Sequence, residues 1–450
     1  MEFSSLAGAT TGRSLVLFEE GAAKPGMAAV REAVGPSIAG GDAGGGTEVF
    51  ETLGVAVVDA PPEQVMQAAG SDSIIAVEPE RIVYALELAE APHAANGHAI
   101  LPAGPPLGAT EAVPVPPFMP AAAPAPAGRS ADYLRGYRDA VMHLTDDLAG
   151  AAAADAGTLA AIAAIDETQA TWGLQATKVV NCCRTGAKIR VAVLDTGFDL
   201  EHPDFAGRTI KSKSFVPGEA VQDGHGHGTH CIGTALGRKC PPKGRPRYGI
   251  AHQGEVYAGK VLSNAGSGSD TGILAGIEWA IANKCAVVSM SLGAPAQPGQ
   301  PFSQVYERVA LRAQAKGTLI VAAAGNDSSR PGTTRPVSHP ANCPSIMAVA
   351  ALDSNLGVAF FSNRGINPNG GQIDIAAPGV NVFSSWPMPT RYRRLQGTSM
   401  ATPHVAGIAA LYAEADPNAR GAALWQALVG GAQRLPIAAI DVGAGLVQAP

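Results

Sequence analysis

No stretch of this 450-residue chain reaches about 18 uninterrupted apolar residues, the length a membrane helix needs, because Asp, Gly and Pro break its Ala-rich runs. The opening, MEFSSLAGATTGRSLVLFEEG, lacks a basic start followed by an apolar run of roughly 7–15 residues, so no secretory signal is readable. The expectation is a soluble protein with no membrane partner, cytoplasmic or exported by a non-standard route. The six cysteines, at positions 182, 183, 231, 240, 285 and 343, never take the CxxC spacing of a structural zinc site. They leave the disulfide state open. There is no clustered basic stripe, which argues against nucleic acid as a partner. Charged residues make up 16% and hydrophobic residues 46%, with 54 Gly and 35 Pro. That composition is globular and rich in turns, with ample length for a core, and it excludes both wholesale disorder and a disulfide-dependent miniprotein.

Charge is unevenly divided. Up to Ile165 there are 7 Lys and Arg against 20 Asp and Glu, and from Asp166 onward 25 against 18, giving −13 and +7. Two parts of one chain that attract each other are the natural reading. In the acidic part, Ser14–Phe18 and Leu53–Val58 read as strands, Ala22–Val34 and Pro62–Ala69 as helices, and Ile74–Glu78 and Arg81–Leu86 as two further strands. This predicts a small α+β sandwich over residues 10–88. The glycine-rich Gly40–Gly46 lacks the strand-to-helix context of a phosphate loop and reads as a linker. Residues 89–128 have Pro/Ala-rich linker composition, and residues 129–165 read as a helical docking segment or hairpin.

Residues 166–450 differ. Wholly apolar runs at Ile189–Leu194, Glu255–Val261, Ala286–Ser291, Thr318–Ala323 and Ile346–Ala350 alternate with helical stretches. Continuous runs of this kind are strands buried on both faces, so the expected class is α/β, a doubly wound, mainly parallel sheet with flanking helices. Working residues in such sheets sit at the carboxyl ends of strands and at helix starts. Asp195 follows the first strand in VAVLDTGFD; DGHGHGTHC places His225, His227 and His230 before an apolar helix; GTSMATPHVAG sets Ser399 at another helix start. Each alone has a bland reading, as turn Asp, metal-ligand or packing His, and N-cap Ser. The HxHxxH spacing has no suitable fourth ligand beyond Cys231, which disfavours a metallohydrolase. Together one Asp, one His and one Ser supply an orienting carboxylate, a base and a nucleophile.

These motifs, in the order Asp195, His227, Ser399, resemble the subtilisin family of serine proteases from about Trp172 to the C-terminus. The Cys after DGHGHGTH leans toward the proteinase K side. The resemblance implies that Asp195 orients, that His227 is base and then acid, that Ser399 attacks the scissile carbonyl, and that His225 and His230 are neighbours only. Asn326 in VAAAGND matches the family's side-chain oxyanion donor. Gly266, Ser267 and Gly268 match one substrate-binding edge, Ser291, Leu292 and Gly293 the other, with Leu292, Ala323, Ala324 and Gly325 walling an apolar pocket whose rim residue, Asp327, would also welcome basic side chains. SLVLFEE and SIIAVEPERIVYAL resemble the family's inhibitory propeptide, which is ferredoxin-like. The implied protein is a serine endopeptidase made as an autoinhibited zymogen, acting on peptides or proteins, with its own prosegment as inhibitor, cut within Leu88–Gly128. A narrow intracellular processing peptidase or a catalytically silent scaffold are the alternatives. No cofactor is required. Asp204 matches one calcium ligand of the family, but the basic Gly237–Gly249 replaces the completing loop and Asn381 stands where another carboxylate is usual, so calcium is left open and not expected. Cys231 is expected to be a buried small hydrophobe beside the base.

Overall fold

The computed structural model describes residues 9–34, 47–68, 72–86, 166–242 and 244–450. The loop expected at 40–46, the linker at 89–128 and the helical segment at 129–165 lie outside the described residues. Among the described residues no helix is long and apolar enough to cross a membrane. All six cysteines are free thiols.

The N-terminal unit runs β1 (Thr10–Phe18), α1 (Ala23–Val34), β2 (Glu48–Phe50), β3 (Val55–Val58), α2 (Pro62–Val65) and β4 (Ile74–Ala85). Its strands lie in the order β4-β1-β3-β2, paired antiparallel throughout, which is the ferredoxin-like arrangement. Period-two alternation divides β1 between two cores. Val16 and Phe18 face α1 with Met27, Val30 and Val34, while Leu15 and Leu17 face the larger unit. Two expectations shift here. The helix from Pro62 tightens to a 3₁₀ turn, Met66–Ala68, after Val65. The two strands expected around Pro79 are one, because Pro79 is accommodated opposite Ser14 of β1 and the strand continues.

In the larger unit seven strands form one parallel sheet. They are β5 (Arg190–Asp195), β6 (Ile210–Ser214), β7 (Glu255–Lys260), β9 (Val287–Met290), β11 (Leu319–Ala323), β12 (Met347–Leu352) and β13 (Ile375–Pro378), ordered β13-β12-β11-β9-β5-β7-β6. Alternate residues again serve opposite faces. Ala192, Leu194, Val288, Met290, Ile320 and Ala322 join one cluster, whereas Val191, Val193, Val287, Leu319 and Val321 join another. Two helices, α5 (Asp270–Ala282) and α6 (Gln304–Ala315), cover the first face. The second is covered by α4 (His227–Leu236) and α7 (Thr398–Ala415), the latter followed by α8 (Ala422–Gly431). A short helix α3 (Trp172–Ala176) opens the unit, and α9 (Ala439–Val442) precedes its end. The doubly wound expectation therefore holds. Strand β6, IKSKS, lacks the apolar signature because it is an edge protected by exposed lysines.

Strand β4 extends beyond its own sheet. Its last residues pair antiparallel with β8 (Ser267–Ser269) on one side and β10 (Leu292–Gly293) on the other, joining both units in a six-stranded sheet. Acidic side chains of the N-terminal unit meet helix starts of the larger one, where free N–H groups and the helix dipole favour negative charge. Glu78 accepts from Ser303 Oγ at 2.6 Å and Gln304 N at 2.6 Å at the start of α6. Glu80, wholly buried, accepts from Thr271 N at 3.0 Å and from the hydroxyls of Thr271 and Thr11. Arg312 donates to the carbonyls of Leu53 and Phe18. Replacing Glu80 by Ala leaves several buried donors unmet, each costing about 1–3 kcal/mol. In urea unfolding of the full chain carrying Ser399→Ala, Glu80→Ala is expected to lower stability by about 2–4 kcal/mol. The exposed Glu63→Ala is expected to stay within about 0.5 kcal/mol.

Candidate active site

Asp195 ends β5 and His227 begins α4, so the turn before His227 must bring a helix start against a strand end. Asp223 holds that turn: its Oδ1 accepts from His225 N at 3.1 Å and Gly226 N at 2.7 Å, and its Oδ2 from Thr229 N at 2.9 Å. Thr196 Oγ1 bridges the two segments, donating to Asp223 at 2.9 Å and accepting from Gly228 N at 2.9 Å. Gly226 adopts φ 110°, and a Cβ there would collide with Trp386; a Cβ on Gly228 would strike the Gly197 carbonyl. The glycines of this motif are therefore demanded by close packing.

The result is a pair with no solvent contact to speak of. His227 Nδ1 donates to Asp195 Oδ1 at 2.7 Å, with side-chain exposures of 0% and 1%. Burial by itself would drive the imidazole pKa down, but the Asp195 carboxylate outweighs it and holds His227 well above the ordinary value. His230, by contrast, donates to the Val382 carbonyl at 3.0 Å, and burial beside His227 pushes its pKa to about 3. His225 places its ring edge-on to His227 at 6.3 Å. Cys231 is fully buried, 3.9 Å from His227 Nδ1 and 3.6 Å from the Ser399 carbonyl, and burial raises its thiol to about 11. It is a neutral space-filling group.

Ser399 stands in the first turn of α7, after Gly397. Its hydroxyl donates to the Ser291 carbonyl at 3.0 Å, while Ser291 Oγ donates back to the Ser399 carbonyl at 2.8 Å. His227 Nε2 is buried and has no hydrogen-bond partner among the described residues. The Ser399 hydroxyl is thus engaged by Ser291 and not by His227. Asn326 follows Gly325, which turns the chain at φ 109°. Asn326 Oδ1 accepts from Thr398 N at 2.9 Å and Thr398 Oγ1 at 2.8 Å, which leaves the amide NH₂ aimed at the cleft. There it donates to the carbonyl of Leu86 at 2.7 Å.

Residues 82–86 lie along both expected substrate edges. Ala85 N donates to the Gly266 carbonyl at 2.9 Å, and Val83 and Tyr84 sit opposite Gly268 and Ser267. On the other side Leu86 N donates to the Ser291 carbonyl at 3.3 Å, and Ala85 and Tyr84 face Leu292 and Gly293. A Cβ on Gly293 would collide with the His339 backbone carbonyl and crowd the Leu86 side chain, which explains the absence of one. Ala323 and Ala324 are buried at and just beyond the end of β11. The carbonyl on Asn326 is Leu86's, two residues before the Leu88–Gly128 stretch expected to hold the cut. One expectation changes. Asp327 is no open basic-binding rim, since Asn363 Nδ2 at 2.8 Å and Ser338 Oγ at 3.2 Å engage its Oδ2. Thr196, Asp223 and Thr398 escaped sequence reasoning because a hydrogen-bonding role across motifs leaves no local pattern.

The residues aligned with family calcium ligands do not fit a divalent cation. The Asp204 carboxylate already accepts from Arg391 Nη2 at 3.0 Å, Tyr248 OH at 2.6 Å and Tyr392 OH at 2.9 Å, and the Asn381 carbonyl accepts from Arg394 Nη1 at 2.9 Å. A guanidinium stands at each position, and fixed positive charge repels calcium.

Comparison with known proteins agrees with this geometry. The subtilase family model, Peptidase_S8, matches residues 186–445, more than half of the chain. The chain belongs to the subtilase family. It is 44% identical over 253 residues to M-protease of Shouchella clausii (strain KSM-K16), covering 55% of this chain and 60% of that protein. Subtilisin Savinase of Lederbergia lenta is also 44% identical over 253 residues, with 55% and 85% covered, and subtilisin E of Bacillus subtilis (strain 168) is 42% identical over 238 residues, with 52% and 58% covered. The chain thus spans about three fifths of the length of several of the relatives it matches.

Two outcomes follow. A base must be unprotonated, so activity falls as pH drops through the His227 pKa; because Asp195 raises that pKa, the acid limb lies above the ordinary imidazole value of about 6.5. In Asp195→Asn the limb moves to lower pH and kcat drops by about 10⁴, read from pH–rate profiles. Asn326→Ala is expected to lower kcat by about 10²–10³ with little change in KM.

Proposed function

We propose that this chain is a serine endopeptidase made as an autoinhibited precursor, and the observation that carries the reading is the Leu86 carbonyl seated on Asn326 beside Ser399. A peptide in that position presents its carbonyl carbon to the hydroxyl. Ser399 Oγ leaves the Ser291 carbonyl, passes its proton to His227 Nε2 and attacks, and Asp195 stabilises the imidazolium that forms. The oxyanion is met by the Asn326 amide and the Ser399 N–H at the positive end of α7. His227 then protonates the leaving amine, and water admitted to the site hydrolyses the acyl-enzyme by the same steps reversed. Strand addition between β8 and β10 binds by main chain and so accepts many sequences, with an apolar side chain such as Leu before the cut. The same strand, supplied by the N-terminal unit, keeps other substrates out.

The test is expression of the full chain beside Ser399→Ala, with fluorophosphonate labelling, casein hydrolysis and intact mass followed over time. The wild type is expected to shed its N-terminal unit, label and digest casein, while Ser399→Ala stays full length, unlabelled and inactive. Labelling and casein digestion without loss of the N-terminal unit would refute the precursor reading. Absence of both labelling and digestion would refute the peptidase reading.

A further inference from the structure

Outside the triad, a wholly buried carboxylate stands beside the strand that pairs with the N-terminal unit. Asp270 opens α5 immediately after β8, the strand along which residues 82–84 are paired. Its Oδ2 accepts from Arg81 N at 2.8 Å and lies 3.8 Å from the Arg81 guanidinium. Its Oδ1 accepts from His339 Nε2 at 3.2 Å, and its backbone carbonyl is met by Tyr306 OH at 3.4 Å. With the Leu86 carbonyl on Asn326, Arg81 is the sixth residue before the bond presented to Ser399.

The groups around Asp270 divide into those that leave with the N-terminal unit and those that stay. Arg81 leaves, together with Glu78, whose carboxylate shares the Arg81 guanidinium at 3.3 Å, and the neighbouring Glu80. His339 and Tyr306 stay. Burial and the nearby Arg81 lower the His339 pKa. Burial opposes ionisation of Asp270, yet His339 and Arg81 together hold its pKa below the usual carboxylate value. Once the N-terminal unit departs, Asp270 keeps the His339 Nε2 hydrogen bond and loses the Arg81 guanidinium, at the edge of an extended binding strand. A carboxylate in such a place favours a cationic partner.

We propose that Asp270 determines specificity in the mature enzyme by selecting an Arg or Lys at the sixth position before the cleaved bond, in the place Arg81 holds in the precursor. The proposal rests on the peptidase reading above and adds the charge class of the substrate. Any residue except Pro retains the main-chain bond to Oδ2; the basic side chain adds the ion pair, free of the competing Glu78.

The experiment uses matured enzyme, its competent sites counted by fluorophosphonate titration, and three peptides carrying Xaa-Ile-Val-Tyr-Ala-Leu-Glu with Xaa as Arg, Gln or Glu. The wild type is expected to give kcat/KM in the order Arg, Gln, Glu, with about tenfold or more between the extremes, as for a charge-assisted hydrogen bond. About 1 M salt, where the screening length falls to ~3 Å, should compress that spread. Asp270→Asn should remove it. Equal kcat/KM for the three peptides with wild type overturns the proposal even if Asp270→Asn does not fold, and an unchanged spread in Asp270→Asn overturns the assignment to this residue. Failure of the titrated enzyme to cut even the Gln peptide overturns instead the peptidase reading beneath it.

Discussion

Antiparallel pairing of one strand end with two edges at once is the constraint on which the rest depends. Residues 82–86 bridge β8 and β10 by main-chain hydrogen bonds on both sides. This pairing sets the register, and the register delivers a carbonyl to Asn326 and not to a neighbouring atom. The parallel sheet serves this geometry by aligning β5, β9 and β11 so that Asp195, Ser291 and Asn326 emerge near their carboxyl ends. Helices α4 and α7 then add His227 and Ser399 at their first turns.

Electrostatics work in the same direction. The acidic N-terminal part does not merely attract a basic partner at long range. Glu78 and Glu80 meet the starts of α6 and α5, where unpaired N–H groups need acceptors. Burial of Glu80 makes this match one of geometry as much as charge, because an unpaired buried carboxylate would be costly. Arg391 and Arg394 extend the principle, satisfying the Asp204 carboxylate and the Asn381 carbonyl with fixed cations.

Much of this was legible in the residues. Buried parallel strands announce themselves through unbroken Val, Ile, Leu and Ala, and the three catalytic motifs are local in sequence even though they converge in space. The features that escaped have physical reasons. Strand β6 is polar because it is an edge, and β4 looked like two strands because Pro79 interrupts a propensity pattern that tertiary pairing overrides. Thr398 shows the limit of motif reading: it fixes the Asn326 amide across 72 residues of chain. The same holds for Asp270, an ordinary helix-start Asp until Arg81 is seen against it.

The central claim is that the strand in the cleft lies in the register of a substrate. Mapping the first bond the protein cuts in its own chain, by mass spectrometry of both new ends at early times, tests it most directly. The account predicts an N-terminal fragment ending at Leu86 and a new chain beginning at Glu87. A first cut at any other bond would contradict it.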